Sequence, residues 1–290
     1  HPTAWTDPLY TYCLAGLIWL FGDYHRLAAA IFGLVLMLAV LGLTHRLCER
    51  LISAPAGVVA VLVLALGRDI PEAARTMTNA MLAATLVVLS ALTLVKFLEE
   101  PTCRRAGVLG LVLGLTALGC PTAQLFLPAT AAAVAVLGWK NLRPAVAHAI
   151  LMLVAGAITV MPWTLRNYMA FGQLVPVRTG FGQIAFIGVV ASGGTVAPES
   201  LRSHVKPPWS AETPRDAVRR IIRTPYADQA ALERFQLDYA KELVGPEYSV
   251  MNEAQSDAWF RQEAKAFMAA NPALSARLAI ANLEVFVRLI

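Results

Sequence analysis

Arg166 has a setting in which an arginine could bind a phosphate group at a membrane surface. Together with Asn167 it directly follows residues 144–165, a run that has no Asp, Glu, Lys or Arg and contains Trp163 near its end. The edge of such a run lies at the depth of the lipid headgroups, where a guanidinium can pair with a phosphate through two parallel N–H donors. The alternative is a membrane-anchoring belt, because Trp and Arg are common at these boundaries.

Two further arginines are candidates for the same phosphate. Arg26 lies at the start of an apolar run, and Arg178 lies in a segment that contains several glycines. Both could reach the same membrane surface in the topology given below. A structural salt bridge is the alternative explanation for each of them, and the sequence leaves both alternatives open.

The elements that must position these residues are apolar runs long enough to cross a membrane. The runs cover residues 27–43, 51–67, 76–95, 106–139 and 144–165, and only His148 interrupts the last of them. A bilayer core of about 30 Å needs roughly 20 helical residues, or about 17 for the shortest spans. The chain has 57% hydrophobic and 15% charged residues, whereas soluble domains average about 25% charged residues. We therefore predict an all-α polytopic membrane protein.

Basic residues between the apolar runs predict the topology. They form three clusters, at His45, Arg46 and Arg50, at Lys96, Arg104 and Arg105, and at Lys140 and Arg143. Since short cytoplasmic loops carry the Lys and Arg excess, all three clusters are expected inside the cell. This requires residues 106–139 to be two short spans around Gly119, Cys120 and Pro121, because proline disrupts a helix interior. One long tilted span is the alternative, and it would put two basic loops on opposite sides.

This topology predicts four parts in the chain. They are 1–25, the end of a first outer loop with an interfacial helix over 8–22; 26–162, a bundle of about six spans; 163–271, a mostly helical extracytoplasmic domain; and 272–290, the start of a further membrane or interfacial helix. The interfacial assignment rests on the shortness of 8–22 and on its aromatic residues. The chain begins without an initiator Met and ends in an apolar segment, so we expect it to be a piece of a longer protein.

The outer region carries signals of folded helices. Polar residues that precede proline mark helix starts at Thr213, Thr224 and Asn271. Apolar and charged residues recur at helical spacing over 227–243 and 252–270, which predicts amphipathic helices. Residues 173–178 are more typical of a short extended segment.

Other patterns that carry chemistry are missing from the sequence. The five histidines lack metal-ligand spacing, so no metal site is predicted, and a divalent cation is left open as a cofactor. The four cysteines are uninformative: nothing in the spacing of Cys13 and Cys120 supports a disulfide, and lone thiols in membrane helices are the commoner case. No nucleotide-binding G-x-x-x-x-G-K-[ST] loop occurs. The net charge of +5 is dispersed among nearly as many acidic residues as basic ones, which does not suggest nucleic acid as a partner.

Three stretches resemble a family of membrane enzymes. Residues 161–182, MPWTLRNYMAFGQLVPVRTGFG, are similar to the P-W-x-x-R-N-x-x-x-F-G-x-x-V-P-V segment that follows a span in bacterial GT-C glycosyltransferases. These are family 39-like enzymes, related to protein O-mannosyltransferases and to the lipid A aminoarabinose transferase. Residues 7–10 with the pairs at 21–22 and 26–27 are similar to their P-P-L-Y, F-G and R-L sequence, and residues 253–272 resemble the helix that ends their outer loop.

The resemblance implies a GT-C-like helix bundle in a membrane, such as a bacterial inner or plasma membrane. It implies transfer of a sugar from a polyprenyl-phosphate carrier to a glycan, lipid or protein acceptor on the outer face, with inversion at the sugar carbon. In that reaction Arg166, with Arg26 and Arg178, would hold the donor phosphate. Tyr10, Asn167 and Gln183 are expected to bind substrate.

The chain departs from the family pattern at two positions. Asp7 replaces the first Pro of P-P-L-Y, and Asn79 stands where an acidic residue is often found at the outer start of the fourth span. The family's catalytic carboxylate belongs to the first outer loop, so we expect it upstream of His1, with Asp7 in a supporting role. A transporter or flippase for a lipid-linked substrate and a non-catalytic scaffold are the alternatives. Against a transporter, the spans almost lack the charged residues that usually mark transport pathways.

Overall fold

The structure is a computed structural model that describes residues 7–67, 69–75, 79–138, 141–180 and 251–270, with 272, 273 and 276. The chain divides into two compact units, His1–Arg178 and Thr179–Ile290. All regular secondary structure in the described residues is helical, which confirms the predicted all-α class.

The described helices of the first unit are numbered in chain order. They are α1 (Pro8–Phe21), α2 (His25–Leu51), α3 (Ala54–Leu66), α4 (Asp69–Arg75), α5 (Ala80–Glu99), α6 (Cys103–Gly119), α7 (Phe126–Leu137) and α8 (Leu142–Phe171). Two 3-10 turns, Gly22–Tyr24 and Pro121–Leu125, precede α2 and α7. The described helix of the second unit is α9 (Glu253–Ala270).

Helices α2 and α5 run side by side in the same direction. In the first half of α2 the carbonyl of Leu36 accepts a hydrogen bond from the Thr85 hydroxyl near the start of α5, at 3.4 Å. At their other ends Arg50 pairs with Glu99 at 2.5 Å. The two contacts lie the same number of residues apart on each helix, so α2 and α5 begin at one end of the bundle and end at the other.

Helix α6 runs in the opposite direction to α5. The hydroxyls of Ser90 and Thr116 share a buried hydrogen bond of 2.8 Å between the two helices. Arg105, in the first turn of α6, donates to the carbonyl of Lys96 in the last turn of α5, at 2.5 Å. The start of α6 therefore lies beside the end of α5.

Helices α6 and α8 approach closely along a stripe of glycines. A Cβ atom on Gly110 would lie 2.4 Å from the carbonyl oxygen of Met152, and one on Gly114 would lie 2.9 Å from that of Gly156. Small residues four positions apart are a common means of close helix packing in membranes. Because later residues of α6 meet later residues of α8, these two helices are parallel.

Helix α7 reverses the chain between them. Val134, late in α7, packs in one buried cluster with Leu109 and Met152, which lie early in α6 and α8. The chain turns at Gly119 and Pro121, where α6 ends and a 3-10 turn begins. This confirms the reversal that the sequence predicts within residues 106–139, and one continuous helix over this stretch is wrong.

The helix directions bring the described basic residues of the three predicted clusters to one end of the bundle, which we call the basic end. The residues are Arg46, Arg50, Lys96, Arg104, Arg105 and Arg143, at the ends of α2 and α5 and the starts of α6 and α8. The three predicted clusters therefore share one side, with Lys140 lying outside the described residues. That this side faces the cytoplasm stays a prediction.

The bundle exposes much apolar surface. Trp19 is 83% exposed, Leu66 is 84% exposed, and many Leu, Ile and Val side chains of α2, α3 and α8 also face outward. Three described stretches are long and apolar enough to cross a membrane: Pro8–Leu51, Ala80–Glu99 and Leu142–Phe171. Ala54–Leu66 and Pro121–Leu137 are apolar but shorter. The predicted number of about six spans and the interfacial placement of residues 8–22 stay predictions.

Helix α8 extends beyond the end of its apolar run. The charge-free sequence ends at Leu165, but the helix continues to Phe171 and passes through Pro162. It ends where Gly172 adopts a left-handed backbone conformation, with φ of 67°, which glycine tolerates at a helix C-terminus. Trp163, Arg166 and Asn167 therefore lie on the last turns of a helix rather than in the segment after it.

The second unit contains the helix predicted over 252–270. Its N-terminus is fixed by a reciprocal capping box, in which Asn252 and Gln255 each accept the backbone N–H of the other at 2.9 Å. Asp257 on the buried face is 3% exposed; it accepts the N–H of Gly180 at 2.8 Å and pairs with Arg261 at 2.5 Å. Ala264, seven residues after Asp257, is 1% exposed and lies on the same buried face. The predicted helix over 227–243 lies outside the described residues.

Candidate active site

The last turns of α8 hold an arginine flat against an indole ring. The guanidinium carbon of Arg166 lies 4.8 Å from the centre of the Trp163 ring. Residues three apart on a helix lie on the same face, so the local fold alone brings the two side chains together. One guanidinium nitrogen also donates to the side-chain oxygen of Asn167, at 2.9 Å. Stacking and hydrogen bonding together restrict a side chain that otherwise has many rotamers.

The segment after α8 folds back along the same helix face and is fastened by side chains of α8. Asn167 donates to the carbonyls of Val175 at 3.0 Å and Val177 at 3.2 Å, and Thr164 donates to that of Pro176 at 2.7 Å. The Trp163 indole N–H also donates to Val177. This segment has no strand or helix of its own, so these side chains satisfy carbonyls that secondary structure would otherwise pair.

Asn167 is therefore a fully buried anchor in the structure. It is 0% exposed, both hydrogen bonds of its amide nitrogen go to backbone carbonyls, and its oxygen accepts from Arg166. The predicted contact of Asn167 with substrate stays a prediction. What the geometry shows is that this side chain connects Arg166 to the segment that leads to Arg178.

Arg178 ends that segment in an ion pair with Asp7. The guanidinium donates to one carboxylate oxygen of Asp7 at 3.1 Å, and the side-chain amide of Asn79 donates to the other. The Asp7 side chain is only 9% exposed and that of Arg178 is 27% exposed. Although Asp7 is the residue before α1, its carboxylate does not cap that helix. Both of its oxygens are instead engaged by residues from distant parts of the sequence.

A small apolar cavity lies between α1 and α8 on this side of the bundle. Its volume is about 180 Å³, and it is lined by Pro8, Leu9, Tyr12, Leu118, Pro162 and Trp163. Tyr12 meets the Trp163 ring edge-on, with ring centres 5.7 Å apart. The same indole thus borders the cavity and carries Arg166. We call the group formed by Asp7, Asn79, Trp163, Arg166 and Arg178 the aspartate end.

The aspartate end lies opposite the basic end. Asn79 precedes α5 and Trp163 is late in α8, whereas the basic residues of those two helices lie at the end of α5 and the start of α8. The structure thus brings the predicted residues Asp7, Arg166 and Arg178 to one end of the bundle.

The other predicted site residues have different surroundings. Tyr10 packs against the buried cluster of α2 and α5 that includes Leu36 and Met81. Arg26 is exposed in the first turn of α2 and forms no hydrogen bond or ion pair with other described residues. Gln183 lies outside the described residues. The roles predicted for these three residues stay predictions.

Two contributors to the site were not predicted as site residues. Asn79 and Tyr12 are visible in the sequence only as a departure from a motif and as one aromatic residue among several. Among the described residues there is no group of three or more His, Cys, Asp or Glu side chains that could hold a metal ion.

A family model described as dolichyl-phosphate-mannose-protein mannosyltransferase matches residues 1–165. The match covers more than half of the chain, including α1 to α7 and most of α8. The chain belongs to this family. Comparisons with curated proteins and with solved structures give no match.

Membership of the mannosyltransferase family confirms the resemblance predicted from the motifs. It places the chain among membrane glycosyltransferases, and with the apolar helices it makes the chain part of an integral membrane protein. The matched region contains Asp7, Asn79 and Trp163 and ends at the residue before Arg166. Arg166 and Arg178 are therefore linked to the family only through the segment motif of residues 161–182.

Proposed function

We propose that the protein transfers a sugar from a polyprenyl-phosphate carrier to a glycan, lipid or protein acceptor, at the membrane face where the aspartate end lies. The observation that carries this proposal is the restrained Arg166, stacked on Trp163 beside an apolar cavity at one end of an apolar bundle. The description of the family supports it, since dolichyl phosphate is itself a polyprenyl-type phosphate.

The donor requires two environments at once. Its long hydrocarbon chain stays in lipid, while its phosphate must be bound at headgroup depth. Trp163 meets both requirements because its ring borders the apolar cavity and supports the guanidinium of Arg166. Of the five N–H donors of a guanidinium, one is directed to Asn167, and this bond orients the planar group. We propose that this arginine binds the donor phosphate.

The transfer forms a bond between the acceptor oxygen and the anomeric carbon of the sugar. The bond between that carbon and the phosphate oxygen breaks, and the carrier phosphate leaves with the electron pair. A carboxylate base accepts the proton of the acceptor hydroxyl, and in-line attack inverts the anomeric carbon. Arg166 and Arg178 would stabilise the negative charge that grows on the departing phosphate.

Asp7 fits a positioning role in this reaction better than the role of the base. Both of its oxygens accept hydrogen bonds, one from Arg178 and one from Asn79. A general base needs an oxygen directed at the acceptor hydroxyl. We propose that Asp7 orients Arg178 and that another carboxylate accepts the proton.

The experiment that tests the proposal compares the two arginines of α8. In the full-length protein, Arg166→Ala should weaken binding of a polyprenyl-phosphate sugar by about 1.5–3 kcal/mol, or roughly 10- to 150-fold, because a charged hydrogen bond is lost. Arg166→Lys should recover only part of the affinity, since one ammonium cannot reproduce the planar fork. Arg143→Ala, at the other end of the same helix, is the matched control and should bind normally.

Product analysis separates the enzyme from a transporter or a scaffold. A glycosyltransferase releases the free carrier phosphate and forms a glycosylated acceptor, whereas a flippase binds the same lipid and leaves its sugar attached. Unchanged donor affinity in folded Arg166→Ala protein would reduce the Trp163 and Arg166 pair to a membrane anchor. Donor binding without any release of carrier phosphate would contradict the transfer itself.

A further inference from the structure

A second charged pocket lies at the basic end, between the last turn of α5 and the first turn of α6. Its volume is about 340 Å³, and its lining includes Lys96, Glu100, Thr102, Arg104 and Arg105. Helix α5 is 20 residues long, so this pocket lies about 30 Å along the helix from Asn79 and the aspartate end. Any role of this pocket is therefore independent of the proposed sugar transfer.

The pocket carries positive charge that the described residues of the chain do not neutralise. Arg105 pairs with Glu100 at 2.6 Å and donates to the carbonyl of Lys96, so its charge is balanced within the pocket. The side chains of Lys96 and Arg104 form no hydrogen bond or ion pair with any described residue. Three basic residues against one acidic residue leave a net charge of about +2 in a concave site, which favours an anion.

The surface beside the pocket changes from charged to apolar along α6. Arg104, Val108 and Leu111 follow at i, i+4 and i+7, so they lie along one face of the helix. Val108 is 44% exposed and Leu111 is 45% exposed. A phospholipid has the same order, with an anionic phosphate followed by hydrocarbon chains. A free phosphate ion would make no favourable contact with the apolar half of this surface.

We propose that this pocket binds the phosphate of an anionic phospholipid, in the leaflet at the basic end of the bundle. Lys96 and Arg104 contact the phosphate from α5 and α6, and the acyl chains lie over Val108 and Leu111. Glu100 remains paired with Arg105 and so does not repel the anion. Basic pockets between membrane helices are a general means of binding such headgroups.

The test measures lipid retention by the full-length protein purified in detergent. Phosphatidylglycerol or phosphatidylcholine is added at matched concentrations, and bound lipid is counted by native mass spectrometry. The double variant Lys96→Gln and Arg104→Gln should retain roughly tenfold less phosphatidylglycerol than the unchanged protein. The matched control is the double variant Arg46→Gln and Arg143→Gln, which removes the same charge from the same end outside the pocket and should retain the lipid.

Three results would overturn the proposal. One is an equal loss of phosphatidylglycerol in both double variants, because the attraction would then come from the whole basic end. Another is equal retention of phosphatidylcholine. The third is displacement of the lipid by inorganic phosphate at equal concentration, which would make the pocket a site for the free ion. If the pocket double variant fails to fold, the single Arg104→Gln at an exposed position is used, with Arg143→Gln as its control.

Discussion

The two ends of the helix bundle use charge in different ways. At the aspartate end, Asp7 pairs with Arg178, and their side chains are 9% and 27% exposed. Asn79 also donates a hydrogen bond to the carboxylate of Asp7. At the basic end, Arg50 pairs with Glu99, and their side chains are 41% and 44% exposed. A pair in water gains little because solvent screens it, whereas a pair shielded from solvent is held in one geometry.

The comparison indicates what each end is suited for. The aspartate end fixes its charged groups through contacts between residues far apart in the sequence, which is what a site for positioned chemistry needs. The basic end keeps most of its charge exposed and directed at the membrane surface, where Lys and Arg set the orientation of the chain. Four experiments test this difference between the two ends. The first has the largest expected effect and the last has the smallest.

The largest effect is an all-or-none difference in labelling by a membrane-impermeant thiol reagent. Cys103 is exposed at the basic end, and Asp23 is exposed in the 3-10 turn at the start of α2. In a protein whose other cysteines are replaced by Ser, intact cells should label an Asp23→Cys variant and leave Cys103 unlabelled. Permeabilised cells should label both. Labelling of Cys103 from outside would reverse the orientation and move the proposed site to the cytoplasmic face.

The next effect concerns the anchor that connects α8 to the segment before Arg178. Asn167→Leu removes a buried amide of similar size and its two hydrogen bonds, and it leaves the carbonyl of Val175 without this donor, so it should lower the free energy of unfolding by about 1–3 kcal/mol. Donor affinity should fall as well, because Arg166 loses its oxygen partner. Asn141→Leu at the exposed start of α8 is the control. Equal thermal stability of the Asn167→Leu and Asn141→Leu variants would show that the hydrogen bonds from Asn167 to the segment after α8 do not stabilise the fold.

A smaller effect is expected when the ion pair of the aspartate end loses its charge. Asp7→Asn keeps the shape of the side chain but removes the negative charge that orients Arg178, so the rate of sugar transfer should fall about tenfold, or about 1.4 kcal/mol in the barrier. The donor Kd should change less than in Arg166→Ala. Asp23→Asn, an exposed acid at the same end, should behave normally. An unchanged transfer rate would make the Asp7 pair a structural feature only.

The smallest effect is expected for the exposed pair of the basic end. Glu99→Gln should change the free energy of unfolding by less than about 1 kcal/mol, because side chains of the pair are more than two fifths exposed. Raising the salt concentration should reduce even this difference. A destabilisation equal to that of Asp7→Asn in the same thermal assay would remove the contrast between the two ends.

Local patterns in the sequence predicted much of the bundle. Pro121 beside two small residues predicted the reversal between α6 and α7, since a proline lacks the N–H of a helix interior. The periodic residues of 252–270 predicted α9, and the basic clusters predicted that those residues share one end. Each of these inferences needs only neighbours in the chain or a simple rule for membranes.

The aspartate end could not be predicted in this way. Asp7 lies 72 residues from Asn79 and 171 residues from Arg178, so only the folded bundle shows that the three meet. The end of α8 could not be predicted for a different reason. The apolar run indicates contact with lipid, and it ends at Leu165. Backbone hydrogen bonds do not depend on hydropathy, and they continue the helix to Phe171.

The length of α8 has a consequence for how deeply both ends sit in a bilayer. Arg143 and Arg166 lie on one helix, and their separation of 23 residues corresponds to about 35 Å along its axis. That distance is close to the thickness of a hydrocarbon core, about 30 Å. The helix therefore spans the distance between the two headgroup layers, with Arg143 at one layer and Arg166 at the other. In a thinner membrane the helix would have to tilt. The tilt would move Arg166 sideways relative to the donor phosphate, because the lipid determines the depth of that phosphate.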